Sequence, residues 1–315
     1  MWYWGSGTVR LSGLHYFAYY GINELLETLL GMGQGDLNHE DEFGRTPLHL
    51  AAARGNERVV KTLLKCADVN PNAQNCHGET PLRQASRNGH EGVVEILLGH
   101  TDVDPNLVDR FGRTPLYEAS EKGHEGVVRI LLSRADVNSN LASEYGHTPL
   151  LRASGSGHEA VVHALLRRTD VNPNLAGRNG QTPLSQASKY GREGVVRILL
   201  SHTDVNPNSV DRFGQTALYE ASENGHSGVV RILMSHADID PNLPDPNGQT
   251  VLDEAAKKRH ERLLKNLPSY ANAKPGLGIV YGNRNVPYVP NNRWNGRLPE
   301  SLLERYRGRT AGPTG

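Results

Sequence analysis

The stretch that decides the fold reads Thr-Pro-Leu-His-Leu-Ala-Ala-Ala-Arg-Gly-Asn from Thr46 to Asn56, and Val-Val-Lys-Thr-Leu-Leu follows from Val59 to Leu64. The tripeptide that opens it returns every 34 residues, with Thr-Ala-Leu and Thr-Val-Leu as its last two versions. A fixed interval of this size is the signature of a repeat architecture. The opening threonines are Thr46, Thr80, Thr114, Thr148, Thr182, Thr216 and Thr250.

The same register extends one interval further back, to Ser12-Gly13-Leu14. We therefore predict an array over residues 12–267, with seven full units to residue 249 and a partial eighth unit. An N-terminal segment, residues 1–11, precedes it, and a tail, residues 268–315, follows it. The units begin near residues 12, 46, 80, 114, 148, 182, 216 and 250.

Each unit is predicted to form two short helices and a loop. The threonine can cap the first helix, and the proline after it suits the first helical position. Leu48, Ala51 and Ala52 have the spacing of one apolar helix face. A glycine such as Gly55 then ends that helix, because a left-handed backbone conformation favours glycine. One unit cannot bury its apolar faces alone, so neighbouring units must stack into a solenoid.

The unit from Thr46 to Asn70 resembles an ankyrin repeat, and the resemblance covers about residues 12–267. It implies an all-α solenoid in which the hairpin-loop tips, or fingers, and the first helix of each unit bind a partner. The period of 34 residues departs from the usual 33. Only one unit keeps histidine after Thr-Pro-Leu; the others have Arg83, Tyr117, Leu151, Ser185, Tyr219 and Asp253.

A longer repeat overlies the 34-residue one. Val108-Asp109-Arg110-Phe111-Gly112 returns as Val210-Asp211-Arg212-Phe213-Gly214, 102 residues later. This offset equals three units, which indicates that a block of three units was duplicated. Identity between units can therefore reflect shared origin rather than shared function.

Composition excludes several classes of function. The 34 Lys and Arg residues balance the 34 Asp and Glu residues, so no overall charge steers the protein to nucleic acid or to an anionic membrane. No unbroken apolar run approaches the roughly 20 residues of a membrane-spanning helix. Two cysteines and the absence of an Asn-x-Ser/Thr acceptor favour a cytoplasmic protein, with the nucleus as the alternative. We expect a monomer.

Patterns that carry chemistry are scarce. No Gly-x-x-x-x-Gly-Lys-Ser/Thr motif occurs, so we expect no nucleotide or other cofactor. Units spaced by about 8–10 Å cannot place histidines of one register about 2 Å from a shared zinc ion. Those histidines are therefore expected to pack and to hydrogen-bond, and neither catalytic nor metal residues are predicted. They are His90, His124, His158, His226 and His260.

The positive signal lies at the fingers. Three of the four phenylalanines precede a finger glycine, in loops that should be exposed. Aromatic residues and arginine are enriched at protein interfaces. These side chains either contact a partner or pack on the neighbouring finger. The candidate finger residues are Phe43, His77, Arg110, Phe111, Tyr145, Arg178, Arg212 and Phe213.

Charges of alternating sign occupy the ends of the first helices, where they could meet a partner or simply be solvated. The candidates there are Arg87, Glu121, Lys189, Tyr190 and Glu223. Together with the finger residues they define what we call the concave face.

We therefore predict a non-enzymatic scaffold or adaptor that binds a protein partner along the concave face. The alternative is that the array is the sensor or regulatory part of a larger signalling ATPase receptor of the NACHT type. The tail holds seven Lys and Arg against two Glu and is expected to be mostly disordered, with one short helix near Pro299.

Overall fold

The computed structural model describes residues 12–33, 35–244 and 247–248. These residues lie in the first of the two units into which the chain divides, Met1–Leu267; the second, Pro268–Gly315, lies outside the described residues, as do the predicted eighth unit and residues 1–11. The described ranges contain fourteen helices and no strand, so the prediction of an all-α solenoid is confirmed.

The helices form seven consecutive pairs, and none has more than nine residues, too few to cross a lipid bilayer. The first members, called inner helices, are α1 (Gly13–Tyr20), α3 (Pro47–Arg54), α5 (Pro81–Asn88), α7 (Pro115–Lys122), α9 (Pro149–Ser156), α11 (Pro183–Lys189) and α13 (Ala217–Glu223). The second members, called outer helices, are α2 (Asn23–Gly31), α4 (Glu57–Leu64), α6 (Glu91–Leu98), α8 (Glu125–Ser133), α10 (Glu159–Leu166), α12 (Glu193–Leu200) and α14 (Ser227–Met234).

The inner helices begin where the sequence predicts. In five of them the hydroxyl oxygen of the capping threonine accepts a hydrogen bond from the backbone N–H three residues on, as Thr80 does from Arg83. In α3 the ring of His49 takes part instead: its Nδ1 accepts from the Thr46 N–H, and its Nε2 donates at 2.8 Å to the carbonyl of Glu79, the residue before the cap of the next inner helix. Burial lowers the pKa of His49 to about 4, so the ring is neutral.

The core runs along the array between the two rows of helices. Each inner helix packs against the next inner helix, and the outer helices do likewise. Small residues at the inner-helix contacts, such as Ala85 and Ser86, are fully buried. The hydroxyl groups of Ser86 and Ser120 have no hydrogen-bond partner among the described residues, so these contacts depend on the small volume of the side chain and not on a hydrogen bond.

Four turn histidines form hydrogen bonds, as the sequence analysis expected, and these bonds join successive units; His260 lies outside the described residues. The Nε2 atom of His90 lies 3.0 Å from the Ala53 carbonyl oxygen at the end of the preceding inner helix. His124, His158 and His226 repeat this contact 37 residues back along the chain. A Cβ atom on Gly55 would lie 2.8 Å from the His90 ring, and Gly55 has a φ of +76°, so both geometry and space favour glycine there.

An asparagine ladder joins the loops at the other end of the units. The amide of Asn106 donates to the Asp136 carbonyl at 2.7 Å and accepts from the Asn138 N–H at 2.8 Å. Each such asparagine thus bonds the backbone of the next loop in both directions. The ladder consists of Asn38, Asn72, Asn106, Asn140, Asn174 and Asn208.

We expect Asn106→Ala to lower the free energy of unfolding by about 1–2 kcal/mol, because two hydrogen bonds between neighbouring loops are lost at a half-buried position. Urea denaturation followed by circular dichroism measures this change. The control is Glu95→Ala, an exposed outer-helix position that should alter stability by less than about 0.5 kcal/mol. Equal effects of the two substitutions would contradict a stabilising role for the ladder.

Candidate functional site

Three of the described fingers, those of Asp41, Asp109 and Asp211, are tight turns organised by the aspartate carboxylate. The Oδ1 atom of Asp109 accepts hydrogen bonds from the backbone N–H groups of Phe111 and Arg113, at 2.9 and 2.8 Å. Gly112 then takes a φ of +71°, which glycine adopts without strain. Asp41 and Asp211 hold their own fingers in the same way.

Backbone hydrogen bonds connect the finger tips in a row. The Phe111 carbonyl accepts from the Glu144 N–H at 2.8 Å, and the Phe43 carbonyl accepts from the Cys76 N–H at 2.9 Å. These bonds fix the backbone of each tip against its neighbour and leave the side chains to point elsewhere. The backbone bonds between the tips therefore do not depend on which side chains precede the finger glycines.

The aromatic rings at the tips are exposed. Phe43, Phe111 and Phe213 keep 44%, 45% and 51% of their surface accessible, and Tyr145 keeps 59%. Each phenylalanine ring contacts the guanidinium group of an arginine in its own finger, such as that of Arg113, 4.9 Å from the centre of the Phe111 ring. The other predicted finger residues, His77, Arg110, Arg178 and Arg212, are exposed as well.

The predicted inner-helix residues are less free than their charges suggest. Glu121 forms an ion pair with Arg152 of the next unit, and the Lys189 Nζ lies 3.5 Å from a carboxylate oxygen of Glu220. Arg87 approaches two carboxylates of its surroundings at 3.6 and 3.9 Å. Glu223 is half-buried, and Tyr190 is exposed. Arg87, Glu121 and Lys189 thus take part in ion pairs between or within units.

A buried ionic cluster lies beneath the concave face, and the sequence analysis missed it. Arg83 is fully buried, and its Nη2 bridges Asp109 Oδ2 at 2.8 Å and Glu118 Oε1 at 2.6 Å. Arg113 contacts the same two carboxylates, at 2.7 and 3.1 Å, from the finger. Glu79 completes the cluster through Arg83 Nη1. The only sequence signal was the arginine that replaces histidine after Thr-Pro-Leu.

The duplicated block changes this cluster 102 residues later. Asp211 and Glu220 stand where Asp109 and Glu118 stand in the first copy, but the two arginines are replaced by Ser185 and Gln215. Asp211 and Glu220 are still buried, at 7% and 2% exposure. The second copy therefore buries the two carboxylates without the two guanidinium groups.

Replacement of the two arginines reverses the direction in which the aspartate pKa is shifted. Burial acts to raise the pKa of Asp109, but hydrogen bonds from Arg113 and the charge of Arg83 hold this pKa below its ordinary value. Burial raises the pKa of Asp211, and two backbone hydrogen bonds oppose it only in part. Burial likewise raises the pKa of Glu220 against the charge of Lys189.

The matches to a known protein family lie along the repeats. A family model described as ankyrin repeats (3 copies) matches residues 14–109, 101–176, 140–211, 170–245 and 203–276. The chain belongs to the ankyrin-repeat family. Ankyrin repeats are generally modules for protein–protein interaction.

Solved ankyrin-repeat structures resemble this array. The ankyrin repeat domain of Bcl-3, a member of the IkappaB protein family, is 27% identical; the match covers 71% of this chain and 100% of that domain, with a TM-score of 0.63. The ankyrin repeat protein EF0377 is 26% identical over 59% of this chain and 96% of its own, with a TM-score of 0.56. No curated protein sequence matches this chain.

The buried ionic cluster and its counterpart 102 residues later predict opposite changes in stability when the aspartate is replaced by asparagine. We expect Asp109→Asn to lower the free energy of unfolding at pH 7 by about 3 kcal/mol, because it leaves two guanidinium groups without a carboxylate that both contact. Asp211→Asn removes a buried charge and keeps the oxygen that accepts from the backbone, so stability should stay equal or rise. Denaturant titrations compare the two variants. A loss of similar size in both would contradict the assignment.

The raised pKa values of Asp211 and Glu220 also predict a pH dependence. Between the ordinary carboxyl pKa and the raised one, the folded protein binds more protons than the unfolded chain at these sites. Their contribution to stability therefore grows as the pH falls from 7 towards about 4 and is lost as the pH rises. The difference in unfolding free energy between the wild type and Asp211→Asn, measured at several pH values, should shrink on acidification. A difference independent of pH would argue against the raised pKa.

Proposed function

We propose that this ankyrin-repeat protein is a scaffold or adaptor that holds a protein partner along the concave face. The observation that carries the proposal is the row of exposed aromatic and arginine side chains at the finger tips. Rigid aromatic rings lose little conformational entropy on binding, and they dominate the energetics of many interfaces. The backbone bonds between the tips support the proposal, because they preorganise the row before a partner arrives.

We propose no catalytic role. The described residues include no group of three or more His, Cys, Asp or Glu side chains arranged to hold a metal ion. The family assignment supports a binding role, since ankyrin repeats are generally interaction modules. The alternative prediction, a sensor region of a larger NACHT-type receptor, is favoured by no observation in the described part of the chain and stays a prediction.

We further propose that the protein acts as a monomer in the cytoplasm or the nucleus. The two cysteines, both unpaired, and the lack of a glycosylation acceptor support a reducing compartment. The balanced charge supports a protein partner over a nucleic acid or a membrane surface.

The double substitution Phe111→Ala and Phe213→Ala should weaken partner binding at least tenfold, because each ring is an exposed anchor. Partners are first identified by affinity purification and mass spectrometry, and the dissociation constant is then measured with the purified partner. The melting temperature should change little, since both rings are about half exposed.

Glu95→Ala on an outer helix is the matched control and should leave affinity unchanged. Unchanged affinity of the phenylalanine variant would overturn the assignment of the concave face. A large fall in its melting temperature would instead show that the rings act in folding.

A further inference from the structure

The first copy of the duplicated block shows what the carboxylate pair binds. Asp109 and Glu118 share two guanidinium groups: Arg83 bridges both carboxylates through Nη2, and Arg113 contacts both from the finger. A planar guanidinium offers several N–H donors in fixed directions, which suits a pair of carboxylates better than a single ammonium group does. The pair is therefore built as a guanidinium site.

The second copy keeps this carboxylate pair and lacks both internal arginines. Asp211 is more than nine-tenths buried, and its Oδ2 has no hydrogen-bond partner among the described residues. Ser185 stands at the position of Arg83, and its hydroxyl donates to the Thr182 carbonyl at 3.0 Å, within its own helix. Gln215 stands at the position of Arg113. A buried carboxylate oxygen without a donor is costly, and a charged donor is the group that would relieve it.

The remaining neighbours serve Glu220 rather than Asp211. The Gln181 amide donates to Glu220 Oε1 at 3.0 Å, and the Lys189 ammonium lies 3.5 Å from the same oxygen. Lys189 and Arg212 act on Asp211 through space only. Among the described residues, the Lys189 ammonium contacts Glu220 only and neither Lys189 nor Arg212 contacts Asp211, so the pair has room for one more cation.

The first copy also shows how a guanidinium could reach the pair from solvent. The Arg113 side chain remains 26% exposed while it contacts Asp109 and Glu118. The corresponding place in the second copy lies beside the exposed ring of Phe213, on the concave face. A guanidinium arriving there can bond the carboxylates next to the Phe213 ring, whose centre lies 4.5 Å from the Arg212 guanidinium.

We propose that Asp211 and Glu220 form a binding site for the guanidinium group of an arginine side chain of the protein partner, at the place that Arg113 occupies in the first copy. The site itself rests on the geometry of the two copies, and the origin of the arginine rests on the proposed partner-binding function. The raised pKa values of the two carboxyls agree with it, since an arriving cation would stabilise their ionised forms.

The first test uses the full-length protein and N-acetyl-arginine amide as the probe, followed by NMR. The amides of Phe213 and Gln215, which bond Asp211, should shift with a dissociation constant of about 1–10 mM. The amides of Phe111 and Arg113 in the first copy should not shift, because their carboxylate already holds internal arginines. N-acetyl-citrulline amide, which is neutral and similar in shape, should leave the amides of both copies unshifted.

Two double variants exchange the arginines of the first copy for the serine and glutamine of the second, and the reverse. Ser185→Arg with Gln215→Arg places arginines at both positions, as in the first copy, and should abolish the shift; Arg83→Ser with Arg113→Gln should create a response at Phe111. Asp211→Asn, which keeps the backbone hydrogen bonds, should weaken the probe at least fivefold. The proposal is overturned if citrulline amide acts as well as arginine amide, if both copies respond in the wild type, or if Ca²⁺ shifts the amides and arginine amide does not.

The second test addresses the origin of the arginine. A partner that supplies it should bind the Ser185→Arg and Gln215→Arg variant at least tenfold more weakly, and unchanged affinity would overturn this part of the proposal. The two proposals fail separately. Loss of partner binding in the Phe111 and Phe213 variant without any arginine response would retain the concave face and reject the arginine site.

Discussion

Contact between adjacent units is the interaction on which the whole structure depends. A pair of helices of about eight residues each has too little apolar surface to fold alone, so each unit buries its faces against its neighbours. Val93, Val94 and Leu97 on α6 are completely buried, as are Ala85 and Ser86 on α5. Small side chains on the inner helices allow the close approach, and the turn histidines and the asparagine ladder hold the two ends of each contact.

The position after Thr-Pro-Leu shows how much chemistry this contact tolerates. His49 is neutral and donates to the backbone at Glu79, whereas Arg83 is charged and holds three carboxylates. Ser185 at the same position bonds only within its own helix. Each choice is compatible with the same backbone because the helix packing is set by other residues. The choice of residue changes the electrostatic surroundings of the buried carboxylates that lie next to it.

The concave face is likewise exposed because other groups hold the fold together. Backbone bonds hold the finger tips, so the side chains of Phe111 and Phe213 are not needed for packing and remain exposed. The arginine in each of these fingers contacts the ring without covering it. A surface that folding does not use is available for a partner, and the duplicated block presents two versions of it with different charge beneath.

The sequence alone determined the repeat length, the helix pairs, the threonine caps and the exposed fingers, because each depends on residues near one another in the chain or on strict periodicity. It did not reveal that Arg83 is buried or that Asp211 is buried without a guanidinium partner. Those facts depend on contacts between side chains of neighbouring units. Arg83 and Glu118, for example, are 35 residues apart in the sequence and meet at 2.6 Å. Burial and the strength of an ion pair depend on this spatial meeting, so only the tertiary structure decided them.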